Sequence, residues 1–275
     1  MLHIQDFEIE TAFNLGILKG KLMQKFISKI ETLILKSFDS IGTISISMKN
    51  KLHENGIEKD KAFYLPNWVD LKEIKQKKIN DKFSNKFRKK LKIPSETIVI
   101  QYSGSMNKKQ GLFFLLPIIK YFQNNKNILW LFGGEGPTKN EFIKSTKDYQ
   151  NMMFLPFQES SNLNEWLNTG DIHIIPQSDK IDNLLFPSKL YNILASGNPI
   201  ICNARKESDL GKIVDKVGIR VDPKDQIGFI NGLEFLIENE KLRLDLGNKA
   251  RQIASKFDKN YLLGKFEEFI SKSTF

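Results

Sequence analysis

The run Pro187-Ser188-Lys189, followed by an apolar helical pattern, is the stretch of this sequence best suited to chemistry. Proline suits the first turn of a helix, where its missing N–H costs nothing. Ser188 and Lys189 then fall where free backbone N–H groups point outward. A helix N-terminus that adds a hydroxyl and an ammonium group attracts an anion such as a diphosphate. Leu190, Ile193 and Leu194 form one apolar face. Gly197 ends the helix and Asn198-Pro199 forces the turn into an apolar strand. The plainer reading is an ordinary αβ unit with a surface lysine.

Other chemistries find little support. Cys202 is the sole cysteine of the 275 residues, so the chain can form neither an internal disulfide nor a cysteine metal site. His3, His53 and His173 are scattered without ligand spacing. The first residues lack the basic start and apolar core of a signal peptide, and no apolar run approaches membrane-spanning length. These features point to a cytoplasmic protein and leave peripheral contact with a membrane surface open. The net charge is +10, and ten Lys/Arg between Lys72 and Lys92 face only Glu73 and Asp81. Such charge suits nucleic acid, anionic lipid or phosphorylated ligands. Aromatic residues are not interleaved with the basic run and no nucleic-acid module signature is present. It reads as a solvated linker and helix, with no nucleic-acid partner.

The elements that must position these residues follow from about Ser95. Strands are expected at Thr97–Tyr102, Ile128–Phe132, Met152–Leu155, Asp171–Ile175, Pro199–Cys202 and Gly218–Val221. Helices are expected at Leu112–Phe122, from Thr138, at Leu163–Leu167, from Phe186, and from Ile227 to the C-terminus. Short apolar strands alternating with helices imply a parallel sheet covered on both faces. In such a Rossmann-like, doubly wound domain the ligand lies at the C-terminal ends of the strands. The glycine turn 133–136 is not a full dinucleotide fingerprint, which argues against a nicotinamide dehydrogenase. His173 alternates within a buried strand and reads as a core residue.

The first part differs. Ile17–Phe38 reads as a basic amphipathic helix, Ser40–Ser47 as a strand, Met48–Glu54 as a short helix, and Tyr64–Asp70 as a strand end entering a linker. Such a helix packs on a domain core more often than on anionic lipid. The pieces are too few for a complete domain.

Five motifs in order carry a resemblance: His3-Ile-Gln-Asp6, Pro66-Asn-Trp-Val-Asp70, the loop Tyr102–Gly111, the turn Phe132–Pro137, and Phe186-Pro-Ser-Lys-Leu190 through Gly197-Asn-Pro199. Together they resemble the GT4-like glycosyltransferases of the GT-B fold, in the branch that builds capsule, colanic-acid-type or O-antigen polysaccharide. The chain departs from that family at Ser105 and Gln110, where many members have Arg and Lys, and at Leu184 and Asn192, where many carry two Glu. The resemblance implies one complete Rossmann-like domain, residues 95–252, plus the tail of a second. Residues 1–72 would be a remnant of the acceptor half, 73–94 a basic linker, and 253–275 a helix packing back on the first part.

The resemblance also implies a function. A sugar moves from a nucleotide donor, a UDP-sugar, to a saccharide or lipid-linked acceptor in surface polysaccharide synthesis, with retained configuration and no metal or other cofactor. Without a metal, the charge developing on the diphosphate must be met by preorganised dipoles and cations. Gly104 and Gly111 would allow close backbone approach, with Lys108, Lys109, Ser188 and Lys189 supplying charge and donors. Gly134, Gly136, Phe157, Asn183, Pro187 and Leu190 would line the nucleoside and sugar, and His3 and Asp6 would face them as the catalytic pair. The alternative is a non-catalytic nucleotide-sugar-binding remnant, or one subunit of a split enzyme whose acceptor half is a separate chain. Exposed apolar surface is expected on Ile17–Phe38 and Ile41–Ile46.

Overall fold

The computed structural model describes residues 1–76, 85–181 and 184–273. Among these, nine strands form two parallel sheets. The small one has the order β1 (Leu2–Ile4), β2 (Ile41–Thr43), β3 (Ala62–Tyr64). The large one is built from β4 (Ile98–Ser103), β5 (Ile128–Gly133), β6 (Met152–Leu155), β7 (Ile172–Ile175), β8 (Ile200–Asn203) and β9 (Gly218–Val221). Its order is β6-β5-β4-β7-β8-β9, so the winding reverses between β4 and β7, where Ile100 pairs with Ile172. A switch point of this kind opens a crevice at the strand C-termini.

The helices are α1 (Glu8–Asn14), α2 (Lys21–Lys36), α3 (Ile46–Glu54), α4 (Lys86–Lys90), α5 (Leu116–Tyr121), α6 (Lys139–Ser145), α7 (Leu163–Leu167), α8 (Lys189–Ser196), α9 (Asp209–Val217), α10 (Gln226–Glu238), α11 (Glu240–Ala254) and α12 (Lys259–Ser273). The large sheet's strands are apolar in runs because both faces are buried. One face packs Ile100, Tyr102, Trp130, Phe132 and Ile201 against Phe142 and Phe229. The other carries Ile175, Ile200 and Cys202, and its core continues into the small sheet. Ile41, Ile44, Met48 and Leu52 belong to the same buried cluster as Tyr191 and Ile193 of α8, Val214 of α9 and Ala250 of α11.

Three devices fix the parts. Arg88 on α4 and Asp171 before β7 form a buried ion pair. The Arg88 guanidinium also donates to the Thr97 and Thr169 carbonyls, and the Asp171 carboxylate accepts the Val99 N–H. Where the chain leaves the small sheet, the Val69 N–H donates to the Phe257 carbonyl at 3.0 Å, and the Lys259 N–H returns to the Val69 carbonyl at 3.0 Å. Arg251 donates to the carbonyls of Leu71, Ile74 and Ala195. Beyond this crossing, α12 lies back on β3, with the rings of Phe63 and Phe269 stacked at 4.0 Å.

Several expectations are corrected. The helix expected over Ile17–Phe38 is α2 alone, with α1 before it. Gly16 and Gly20, at φ 73° and 109°, break the two apart. The strand expected over Ser40–Ser47 ends at Thr43, because Ser45 turns to cap α3, accepting the Met48 N–H at 3.2 Å. The helix at Leu112–Phe122 opens as a 3-10 turn, Leu112–Leu115. α9 was not expected; Ser208 caps it by accepting the Gly211 N–H. Of the two segments expected to expose apolar surface, α2 and its approach do so, with Leu22 84 % and Phe26 65 % exposed, whereas in the second Ile41 and Ile44 are buried and Ile46 is half-exposed.

Candidate functional site

The crevice at the switch point is made by the turn after β4, the turn after β5 and the start of α8. β4 ends in Tyr102-Ser103-Gly104. Tyr102 is buried and donates its phenol proton to the Ser105 carbonyl at 2.6 Å. Burial raises its pKa far above the ordinary value, so the phenol stays protonated. Gly104 has φ +138°, a conformation that side chains disfavour, and a Cβ placed on it would lie 3.4 Å from the Lys189 ammonium.

Lys189 opens α8 just after Ser188, whose φ and ψ of −54° and −30° are already helical. Its side chain runs back under the β4 turn. Nζ lies 3.9 Å from the centroid of the Tyr102 ring and donates to Oε1 of Gln110 at 3.3 Å. Among the described residues no carboxylate pairs with it. Burial of the ammonium pushes its pKa down to about 7, although part of the side chain reaches the surface. An ammonium held by a ring face and one amide oxygen, beside a glycine turn, gains from an arriving anion what no neighbour supplies.

The glycines after β5 serve another loop. A Cβ on Gly134 would sit 1.9 Å from the Gly104 carbonyl oxygen, and one on Gly136 2.2 Å from that of Met106. Those two residues let the β5 turn lie on the β4 turn, and Gly104 and Met106 donate back to the Gly133 and Glu135 carbonyls. Gly111 is equally confined: its Cβ would meet the Gln177 carbonyl carbon at 2.7 Å. All three hold the crevice wall in shape.

The small sheet supplies the opposite wall. Lys109 reaches across to Glu8 at 2.6 Å and to Asp6 at 3.4 Å. Asp6 also bridges to Leu185, and the Phe7 N–H donates to the Leu184 carbonyl at 3.1 Å. Burial raises the Asp6 pKa most, and Lys109 pulls it the other way. His3 places Nε2 3.2 Å from the Leu65 carbonyl and Nδ1 3.2 Å from the Gln5 amide nitrogen.

The structure thus gathers Gly104 and Lys189 into one cluster, and Lys109 and Asp6 into a second. Lys108 and Ser188 are exposed, and Phe157, just past β6, is 54 % exposed. Pro187 is buried and its carbonyl accepts the Leu190 N–H at 2.9 Å. Leu190, expected beside the donor, is corrected to a core residue: its side chain is fully buried in the cluster shared by the two sheets. His173 is buried, as read from the sequence, with Nε2 2.9 Å from the Leu167 carbonyl. Asn183 lies outside the described residues. Sequence reasoning passed over Tyr102, Gln110 and Glu8 as participants. Of these, Gln110 alone carried a signal, as the residue standing where a lysine was expected.

Comparison with known proteins follows the same outline. Residues 83–253 match the family model described as glycosyl transferases group 1. The chain is 28 % identical over 275 residues to WcaI of Escherichia coli (strain K12), named as a colanic acid biosynthesis glycosyl transferase. The match takes in 97 % of this chain and 66 % of that protein. It is 24 % identical over 286 residues to the glycosyltransferase WbjE of Pseudomonas aeruginosa, covering 100 % of this chain and 66 % of that one. The chain therefore spans 66 % of the length of both curated relatives. Among solved structures, Anabaena Alr3699/HepE in complex with UDP and glucose superposes with a TM-score of 0.75 at 15 % identity, over 89 % of this chain and 66 % of that one. WaaG, a glycosyltransferase involved in lipopolysaccharide biosynthesis, gives 0.71 at 15 % identity, over 92 % and 70 %.

Proposed function

The chain belongs to the glycosyl transferases group 1 family and has the GT-B fold, and from that premise we propose that its large-sheet domain binds a UDP-sugar and presents it for transfer to a saccharide or lipid-linked acceptor in surface polysaccharide synthesis. One observation carries this reading. The Lys189 ammonium, without a carboxylate partner among the described residues, faces the Gly104 turn at the switch point. A diphosphate there is met by that cation and by backbone donors, and stabilising the leaving group's charge is the largest demand of the reaction. Retention of configuration and independence of a metal are taken from the family resemblance. Among the described residues no group of three or more His, Cys, Asp or Glu is placed to hold a metal ion.

His3 and Asp6, on the facing wall, are assigned as the catalytic pair, with the acceptor on their side, His3 meeting the acceptor or the donor sugar, and Phe157 beside the base. Among the described residues no helix is long and apolar enough to cross a membrane. The exposed apolar residues of α2, interspersed with Lys21, Lys25 and Lys29, support peripheral contact with the inner face of a membrane, and so a cytoplasmic site of action. The test is calorimetric titration with UDP, ADP, GDP and CDP, with and without EDTA. Heat with UDP that EDTA leaves unchanged is expected. Silence with all four nucleotides on folded protein defeats the site, and binding restored only by added Mn²⁺ defeats the metal-free reading.

A further inference from the structure

Between β3 and α12 lies a cavity of about 710 Å³ that the donor site does not use. That size is in the range of about 300–1,000 Å³ that holds a single small ligand. Phe63, Tyr261, Phe266 and Phe269 supply an apolar lining, with Phe63 stacked on Phe269 at 4.0 Å. Lys256 and Lys265 also line it, Lys265 with Nζ 4.4 Å from the Tyr261 ring centroid, and no carboxylate is among its described lining residues. Aromatic walls bury an apolar chain, and two ammonium groups without acidic neighbours in the lining complement an anionic head.

The cavity is also tied to the candidate site. His3, Gly42 and Phe63 are in register across the small sheet. A Cβ on Gly42 would meet the Phe63 ring at 2.8 Å and His3 Cδ2 at 3.1 Å, so both rings lean over the glycine on one face. Two strand spacings, about 10 Å, separate His3 from Phe63. We propose that this cavity takes the single apolar chain of an amphiphile with a phosphate-class head, and directs what that head carries toward His3. The second half rests on the reading above, which puts the acceptor on the His3 side.

Calorimetry with the purified chain tests it, using farnesyl phosphate, farnesol, inorganic phosphate and phosphatidylglycerol vesicles. Farnesyl phosphate should bind, farnesol about tenfold more weakly, and phosphate alone not measurably. Phe269→Asp should weaken farnesyl phosphate about tenfold or more, because it sets a charge in the apolar lining, and leave UDP affinity unchanged. Tyr261→Asp, at a half-exposed wall position, serves the same purpose should Phe269→Asp not fold. Lys256→Gln with Lys265→Gln should bring farnesyl phosphate down to the level of farnesol. Binding indifferent to the aspartate variants, or seen only with vesicles, overturns the inference. So does failure to bind farnesyl phosphate by protein that still binds UDP. The converse result, farnesyl phosphate bound and UDP not, supports the cavity and defeats the donor-site reading alone.

Discussion

Both sheets of this chain are parallel, but only the six-stranded one is closed on both faces by helices that follow its own strands. Its aromatic side holds Trp130, Phe132, Phe142 and Phe229 at 0 % exposure. The three-stranded sheet buries Ile41, Ile44 and Met48 against α8 and α9 of its neighbour, while Leu22, Phe26 and Leu33 of its own helix α2 stand 84, 65 and 69 % exposed. The large sheet is therefore a folding unit with its own core, and the small one borrows a core. The donor-side crevice sits on the self-sufficient unit, where Gly104 and Lys189 are held from both sides. The facing wall depends on that docking for its place.

Breaking the self-sufficient unit should have the largest effect. Arg88→Met leaves Asp171 buried without its guanidinium and should destabilise the domain by about 3–5 kcal/mol, read as a lower urea midpoint. The same loss measured for a charge-neutral change on α2 contradicts the comparison. Lys189→Ala should weaken UDP binding by about 1.5–3 kcal/mol, with Lys180→Ala nearly silent. Equal losses point to general charge attraction. Leu22→Gln with Phe26→Gln should move stability by no more than about 0.5 kcal/mol, because both side chains are already in water, and should reduce self-association or vesicle binding.

A pH series sharpens the contrast further. Lys189 has its pKa lowered by burial to about 7, so in the free protein its charge is lost as pH rises through 7. UDP is fully ionised above that pH, its last phosphate pKa being about 6. Affinity should therefore fall between about pH 7 and 9 in the wild type and stay flat in Lys189→Ala. A parallel fall in both proteins assigns the titration elsewhere.

How much of this was legible in the sequence depended on whether a feature is local. Proline before and glycine after the α8 pattern marked both its ends, and alternating apolar runs gave all six strands of the large sheet. The Arg88–Asp171 pair spans 83 residues and leaves no local trace. The sequence offers Lys109 to a diphosphate, and only the fold shows Glu8 within 2.6 Å of it. Leu190 shows why adjacency misleads: it neighbours Lys189 in sequence, but helical geometry turns successive side chains about 100° apart, one to the crevice and one to the core. The glycines after β5, expected from the sequence beside the donor, also meet a constraint that no local pattern announces: a Cβ on either would strike a carbonyl oxygen of the β4 turn.

The paired crossing at Val69 and Asp258 has a mechanical consequence. The chain passes between the two sheets there outward and back, and the two segments are hydrogen-bonded to each other through an isolated bridge. Both bonds meet at one residue, Val69, so the outgoing and returning segments are tied at a single point beside the apolar core that the two sheets share. A change of angle at that point would stretch or relax the contacts of Lys109 with Asp6 and Glu8, which span from one sheet's domain to the other.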